Sequence, residues 1–176
     1  MLYFVRHGQT DANLNGINAG GEYDIPLNAT GMAQAQAFAA IHQDFLRTID
    51  AVYVSPMIRA QQTADLILDG HKKPGDVIED LRELKLGEWS GVSYDVTGNY
   101  FQDGREPPGG ETWAGFKKRC IGALRTAAKG HSGNVLVVAH GGVWFSYASL
   151  IGHDLVHIEN CGREDICRIK LSKIAI

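Results

Sequence analysis

The sequence predicts an α/β fold, a three-layer α/β/α sandwich around a mainly parallel central sheet. Three observations carry this prediction. Four consecutive apolar residues, Leu2-Tyr3-Phe4-Val5, fit a short strand buried on both faces. A second run, Val135-Leu136-Val137-Val138-Ala139, repeats the device, and each run stops at a His-Gly pair, His7-Gly8 and His140-Gly141. Between them, short apolar runs alternate with segments of helical period, the pattern of parallel strands covered on both faces by helices.

The bulk numbers fit one domain, residues 1–176, large enough to bury a core without staples. Hydrophobic residues make up 44% and charged residues 21%, an ordinary globular balance. A net charge of -3 gives no reason to expect nucleic acid or an acidic membrane as partner. Any anion site must then be a local cluster of cations. The three cysteines, Cys120, Cys161 and Cys167, match no zinc or CxxC spacing, and they read as reduced thiols rather than as a Cys161–Cys167 pair. The N-terminus has no basic region leading into a long apolar stretch, and no segment approaches the length of a spanning helix. The expectation is a cytoplasmic protein.

After the first strand, Asp11 to Asp24 is a polar loop rich in asparagine and glycine, long enough to line a site. Asn28 or Thr30 can cap a helix whose apolar face runs through Met32, Ala35, Phe38, Ile41 and Phe45. Ala51 to Val54 reads as the second strand, and Ser55-Pro56 as the N-cap and first-turn proline of the next helix, with Arg59 in its opening turn. A break at Gly70–Gly75 leads to a short strand at Val77-Ile78. Residues from about 90 to 111 lack periodicity and read as an inserted flap closed by Pro107-Pro108-Gly109-Gly110. Thr112 to Lys129 is a well-marked amphipathic helix, with Trp113, Phe116, Cys120, Ala123, Leu124 and Ala127 on one face. A helix from about 143 to 151 follows the 135–139 strand, and Val156–Glu159 and Ile166–Leu171 read as the last two strands.

Arg6, His7, Arg59 and His140 all fall at strand ends or helix starts, so parallel neighbouring strands would bring them to one sheet edge. The helix opening near Pro56 would add free backbone N–H groups there. Two fixed cations and two imidazoles suit a phosphoryl group, because the guanidinium fork matches phosphate oxygens and keeps its charge. A lone histidine after a strand is usually structural, and the pairing with arginines decides against that reading here. Zinc is the chemical rival, but Arg6 beside His7 repels a metal and welcomes an anion, so no metal or cofactor is expected. Arg59 on a helix surface is the bland alternative for that residue, and its first-turn position favours the site. His42, His71, His131, His153 and His157 read as surface or core residues. A neutral imidazole can attack phosphorus, neighbouring cations would keep it unprotonated, and a carboxylic acid must protonate the leaving alkoxide. Spacing leaves that acid open between Glu83 and Glu88.

Arg6-His7-Gly8-Gln9-Thr10-Asp11-Ala12-Asn13 resembles the opening motif of the histidine phosphatase superfamily, the phosphoglycerate-mutase-like enzymes. Asp24-Ile25-Pro26-Leu27 with Gly31, Ser55 through Ala64 with Arg59-Ala60 and Thr63-Ala64, Leu81 through Gly91, and His140-Gly141-Gly142 are similar to the family's later motifs, in order. The resemblance spans nearly the whole chain and implies the phosphoglycerate-mutase-like fold. It implies that His7 is the phosphorylated nucleophile and Glu83, rather than Glu88, the proton donor. Arg6, Arg59 and His140 would bind the phosphoryl group, with Asn13 and Gly141 assisting. Two departures stand out: Gly20-Gly21 where many members have a glutamine before the glycine, and Trp89-Ser90-Gly91 for Trp-Glu-Gly.

Mutases of the family carry larger insertions that exclude water, whereas the flap here is short. The resemblance therefore favours a phosphatase acting on a small phosphorylated metabolite, with phosphoglycerate-mutase-type transfer as the alternative and a non-catalytic phosphate-binding module as the non-enzyme reading. Pro107 through Thr112 and His140-Gly141-Gly142 look most like the α-ribazole phosphatase and small-molecule phosphatase branch. Phosphohistidine protein phosphatases resemble the chain less, since they lack the Glu83–Gly91 tract.

Overall fold

The structure is a computed structural model that describes residues 1–69, 75–150, 158–161 and 167–169. Its centre is a five-stranded sheet in the order β3-β2-β4-β1-β5, formed by β1 (Leu2–Arg6), β2 (Ile49–Val54), β3 (Asp76–Val77), β4 (Asn134–Ala139) and β5 (Cys167–Ile169). The four strands β1 to β4 run parallel to one another, and β5 alone is antiparallel, against β1. The mainly parallel sheet is thus as expected.

Alternation along the strands makes the three layers. Leu2, Phe4, Val135, Val137 and Ala139 face one way and pack with Phe116, Cys120 and Leu124 of α7 (Trp113–Ala128) and Val143 and Tyr147 of α8 (Gly141–Leu150). Tyr3, Val5, Leu136 and Val138 face the other way, onto Ala35 and Phe38 of α2 (Ala29–Ile41) and Ala60, Ala64 and Ile67 of α4 (Ile58–Ile67). β1 and β4 lie central in the sheet, which is why their sequences read as unbroken apolar runs.

Several elements differ from expectation. The loop after β1 contains a one-turn helix, α1 (Asp11–Leu14), closed by a capping box between Thr10 and Asn13. The helix expected to run on past Ile41 breaks at His42, and α3 (Gln43–Arg47) follows; Met32 and Ile41 are exposed rather than core-facing. Ser55 is not the N-cap of α4, which is Met57; the Ser55 hydroxyl meets His140 and accepts the Met57 N–H. The orphan N–H of Ile58 is instead taken by the Asp24 carboxylate from the first loop, at 2.9 Å. The third strand is Asp76–Val77 rather than Val77-Ile78. The flap holds two short helices, α5 (Tyr94–Thr97) and α6 (Tyr100–Asp103). Ile158 and Glu159 are not in a strand. His71, His153, His157, Val156 and most of the Gly70–Gly75 break lie outside the described residues. Cys120 and Cys161 are thiols, and burial pushes the Cys120 thiol up to about 12, which leaves it inert.

Candidate active site

The register between β1 and β4 sets Arg6 opposite Ala139, so the next residues, His7 and His140, leave the sheet side by side. Their ring centroids are 5.2 Å apart. β2 ends one strand further on, and Ser55 places its Oγ 2.6 Å from His140 Nε2. Arg59 comes from the first turn of α4 and is 2% exposed; its guanidinium donates to the carbonyl oxygens of Gly20 and Tyr23. The Gly20 carbonyl reaches Arg59 because Gly20 has a φ of 59°, a conformation that glycine adopts at little cost. The Gly20-Gly21 departure thus holds a cation in place.

Among the seven residues named from the sequence, Arg6, His7, Asn13, Arg59, Glu83 and Gly141 line one cavity of about 610 Å³. His140 does not. It is 0% exposed, with its ring 5.2 Å from that of His7. Glu88 lies in a 3₁₀ turn away from the cavity, which separates it from Glu83 on geometry.

The hydrogen bonds set the protonation pattern. His7 Nδ1 lies 2.7 Å from the Gly8 carbonyl oxygen, a pure acceptor, so Nδ1 carries the hydrogen and Nε2 keeps the lone pair. Burial lowers the His7 pKa well below its ordinary value, and Arg59 and then Arg6 lower it further. His140 is lowered in the same way, by burial ahead of Arg59. Both imidazoles are therefore neutral near pH 7. The cations contribute, as the sequence implied, but desolvation contributes more. Arg59 is itself lowered by burial, partly offset by Glu83 and Asp24. Asn13 accepts from the Thr10 backbone N–H and hydroxyl through Oδ1, which leaves its amide N–H groups as donors for an anion. At the opening of α4, Met57 N–H bonds Ser55 Oγ and Ile58 N–H bonds Asp24, so two of the N–H groups expected to be free there are taken.

Glu83 is half-buried and oriented at both oxygens. Oε1 accepts from Leu84 N–H at 2.8 Å and Oε2 from Gly142 N–H at 3.0 Å. A Cβ on residue 142 would stand 2.2 Å from Glu83 Oε1, so a side chain there would push the carboxylate from this position. The segment that carries Glu83 is clamped by Arg119, which donates to the carbonyls of Asp80, Arg82 and Glu83 while pairing twice with Glu111. Burial pulls the Arg119 pKa down, but the Glu111 bond and the neighbouring acidic groups outweigh it and the net shift is up.

Some site residues escaped the sequence. Asn160 donates through Nδ2 to the His7 carbonyl oxygen at 2.8 Å and to Asn13 Oδ1 at 3.4 Å, and nothing in its local sequence marks it. Ser55 has a signal, since it follows β2 just as His7 follows β1, but a serine before proline fits a cap as well. Among the described residues no group of three His, Cys, Asp or Glu side chains could hold a metal ion, and no helix is long and apolar enough to cross a membrane.

A mainly parallel sheet that delivers two imidazoles and two guanidiniums to its carboxyl edge defines an α/β protein with an anion-accepting cavity. Comparison with known proteins narrows the class. The profile of the histidine phosphatase superfamily (branch 1) matches residues 2–172, and the chain belongs to that family and is a phosphatase. It is 32% identical to the adenosylcobalamin/alpha-ribazole phosphatase of Escherichia coli, over 81% of this chain and 74% of the relative. It is 35% identical to the metal-independent phosphoserine phosphatase of Arabidopsis thaliana, over 81% of this chain and 64% of the relative. The fold superposes on the crystal structure of phosphoglycerate mutase from Thermus thermophilus with a TM-score of 0.72 and 26% identity, over 91% of this chain and 88% of that one. The fold is accordingly phosphoglycerate-mutase-like.

Proposed function

We propose that the protein is a metal-independent phosphomonoester hydrolase that works through a phosphohistidine at His7 on a small phosphorylated metabolite. The observation that carries this is the neutral His7 ring, its Nδ1 hydrogen fixed by the Gly8 carbonyl and its Nε2 lone pair left at the cavity beside Arg6 and Arg59. His7 Nε2 attacks phosphorus, and the bond to the ester oxygen breaks. Protonated Glu83 gives its proton to the departing alkoxide. Water then attacks phosphorus, the P–N bond breaks, and the Glu83 carboxylate takes the water's proton. Arg6, Arg59 and the Asn13 amide hold the phosphoryl oxygens, with Gly141 at the cavity wall. Nδ1 of His140 is buried and has no protein partner among the described residues, which a phosphoryl oxygen would supply.

Tyr94, Asp95, Gly98 and Asn99 at the cavity mouth are exposed, so water has a route to the phosphohistidine, which supports hydrolysis over mutase-type transfer. The two curated relatives carry α-ribazole and phosphoserine in their names, and an α-ribazole 5'-phosphate-like ester is the reading favoured here.

The test is phosphate release from p-nitrophenyl phosphate, with chelator present, for wild type and His7→Ala. Chelator-resistant release that falls to background in His7→Ala is expected. Release that persists in His7→Ala sinks the mechanism. Glu83→Gln should slow alkyl esters far more than p-nitrophenyl phosphate, since p-nitrophenolate needs little protonation.

A further inference from the structure

β1 ends at Arg6, and the peptide that joins His7 to Gly8 lies just beyond it. The His7 N–H still pairs with the Ala139 carbonyl of β4 at 2.9 Å, but the next peptide is met by side chains. Asn160 Nδ2 donates to the His7 carbonyl oxygen at 2.8 Å, and Thr63 Oγ1 accepts the Gly8 N–H at 3.0 Å. Buried backbone groups need partners, and a water or any polar side chain can serve. Here both partners also touch a residue that faces the phosphoryl group. The same Asn160 nitrogen reaches Asn13 Oδ1 at 3.4 Å, and the Thr63 hydroxyl donates to the Arg59 carbonyl oxygen at 2.7 Å. A helical threonine often bonds the carbonyl four residues back. Its bond to Gly8, 55 residues away, has no such local origin.

Gly8 is where the tautomer of the nucleophile is set, since its carbonyl oxygen lies 2.7 Å from His7 Nδ1. Glycine does not hold its own backbone angles. A side chain is barred there, because a Cβ on residue 8 would stand 2.6 Å from the Gly31 carbonyl oxygen. The direction of the Gly8 carbonyl is therefore imposed from outside. A peptide unit is planar, so one bond to its C=O and another to its N–H fix the rotation of the whole unit. Gln34 holds the following peptide by a bond from the Gln9 N–H to Oε1 at 2.9 Å.

We propose that Thr63 and Asn160 are positioning residues for His7. Together they clamp the His7–Gly8 peptide, which keeps the Gly8 carbonyl on Nδ1 and the Nε2 lone pair at the cavity. Neither is among the residues that line the cavity, so each acts through His7. The effect on rate rests on the phosphohistidine reading of His7, whereas the clamp is a property of the resting protein.

Thr63→Val keeps nearly the same shape and removes the acceptor, and Thr63→Ser keeps the acceptor. Asn160→Leu removes the amide at a half-buried position, and it reads the clamp even where Thr63→Val does not fold. Nitrogen NMR near pH 7.5 should show one His7 tautomer in the wild type and a mixture in Thr63→Val and in Asn160→Leu. Each of these variants should lower kcat on p-nitrophenyl phosphate by about 10- to 100-fold, the cost of a misaimed nucleophile. The Arg59 guanidinium is held separately by the Gly20 and Tyr23 carbonyls, and Asn13 by Thr10. Inhibition by inorganic phosphate should therefore stay within about threefold of wild type. Thr63→Ser should restore both the rate and the single tautomer. A single Nδ1–H tautomer with wild-type kcat in Asn160→Leu would overturn the clamp, and so would equal losses in Thr63→Ser and Thr63→Val. Mixed tautomers in these variants of a protein whose turnover survives His7→Ala would uphold the clamp and count against the phosphohistidine reading alone.

Discussion

Oγ of Ser55 lies 2.6 Å from Nε2 of His140, and the same oxygen accepts the backbone N–H of Met57 at 3.3 Å. A hydroxyl hydrogen donated to Nε2 puts the ring proton on Nδ1, the tautomer in which His140 offers an N–H to an anion. Ser55 is expected to hold that tautomer. Ser55→Ala is expected to lower kcat by about 10- to 100-fold, the loss of one buried hydrogen bond to a reacting charge. Nitrogen NMR should show His140 losing its single tautomer. A variant with unchanged kcat and an unchanged His140 spectrum would reduce Ser55 to a support for the start of α4.

The two buried imidazoles also govern stability. Both folded-state pKa values lie well below the ordinary 6.5, chiefly through burial and then through Arg59. Below pH 6.5 the unfolded chain therefore binds protons that the folded chain refuses. Stability is unaffected by this above pH 6.5 and falls as the pH drops below it, by about 1.4 kcal/mol per pH unit for each histidine. Urea unfolding between pH 7.5 and 5.5 should show the fall, and His140→Gln should make it shallower. An identical slope in the variant would mean that His140 is protonated in the folded state.

The central strands were legible because burial on both faces leaves an unbroken apolar run, and α7 because one face alone is buried. Arg6, His7 and His140 were legible as strand ends. Less local features were not. Ser55 looks like a cap because serine before proline usually is one, and only the position of β4 beside β2 reveals His140 as its partner. Asp24 caps α4 across 34 residues, and Asn160 reaches His7 across 153. Contacts of that separation leave no periodic trace.

Arg119 lies outside the cavity, yet five of its hydrogen bonds end on Glu111 or on the backbone that carries Glu83. It is placed to position Glu83, the proposed acid. Arg119→Lys keeps the charge but cannot reproduce the planar fork. The expected outcome is a loss of about tenfold or more in kcat on alkyl phosphates, with a much smaller loss on p-nitrophenyl phosphate. Equal losses on both esters would show that Arg119 supports the fold as a whole rather than the acid.

Gly142 offers the sharpest probe of the same carboxylate. Its N–H donates to Glu83 Oε2 at 3.0 Å, and a Cβ there would stand 2.2 Å from Oε1 and 3.1 Å from Phe116 Cζ. Gly142→Ala must therefore displace Glu83, because Phe116 is fully buried and closes the other direction. Arg6 and Arg59 are not among the atoms that a Cβ at residue 142 would meet, so inorganic phosphate should still inhibit with its wild-type affinity. Hydrolysis of alkyl esters should fall by about 100-fold, within the range that a positioned general acid contributes, and that of p-nitrophenyl phosphate far less. Double substitution with Glu83→Gln should add little further loss, since both changes remove the same proton. Fully additive losses would mean that residue 142 acts on the phosphoryl group itself, and the acid would then have to be sought elsewhere.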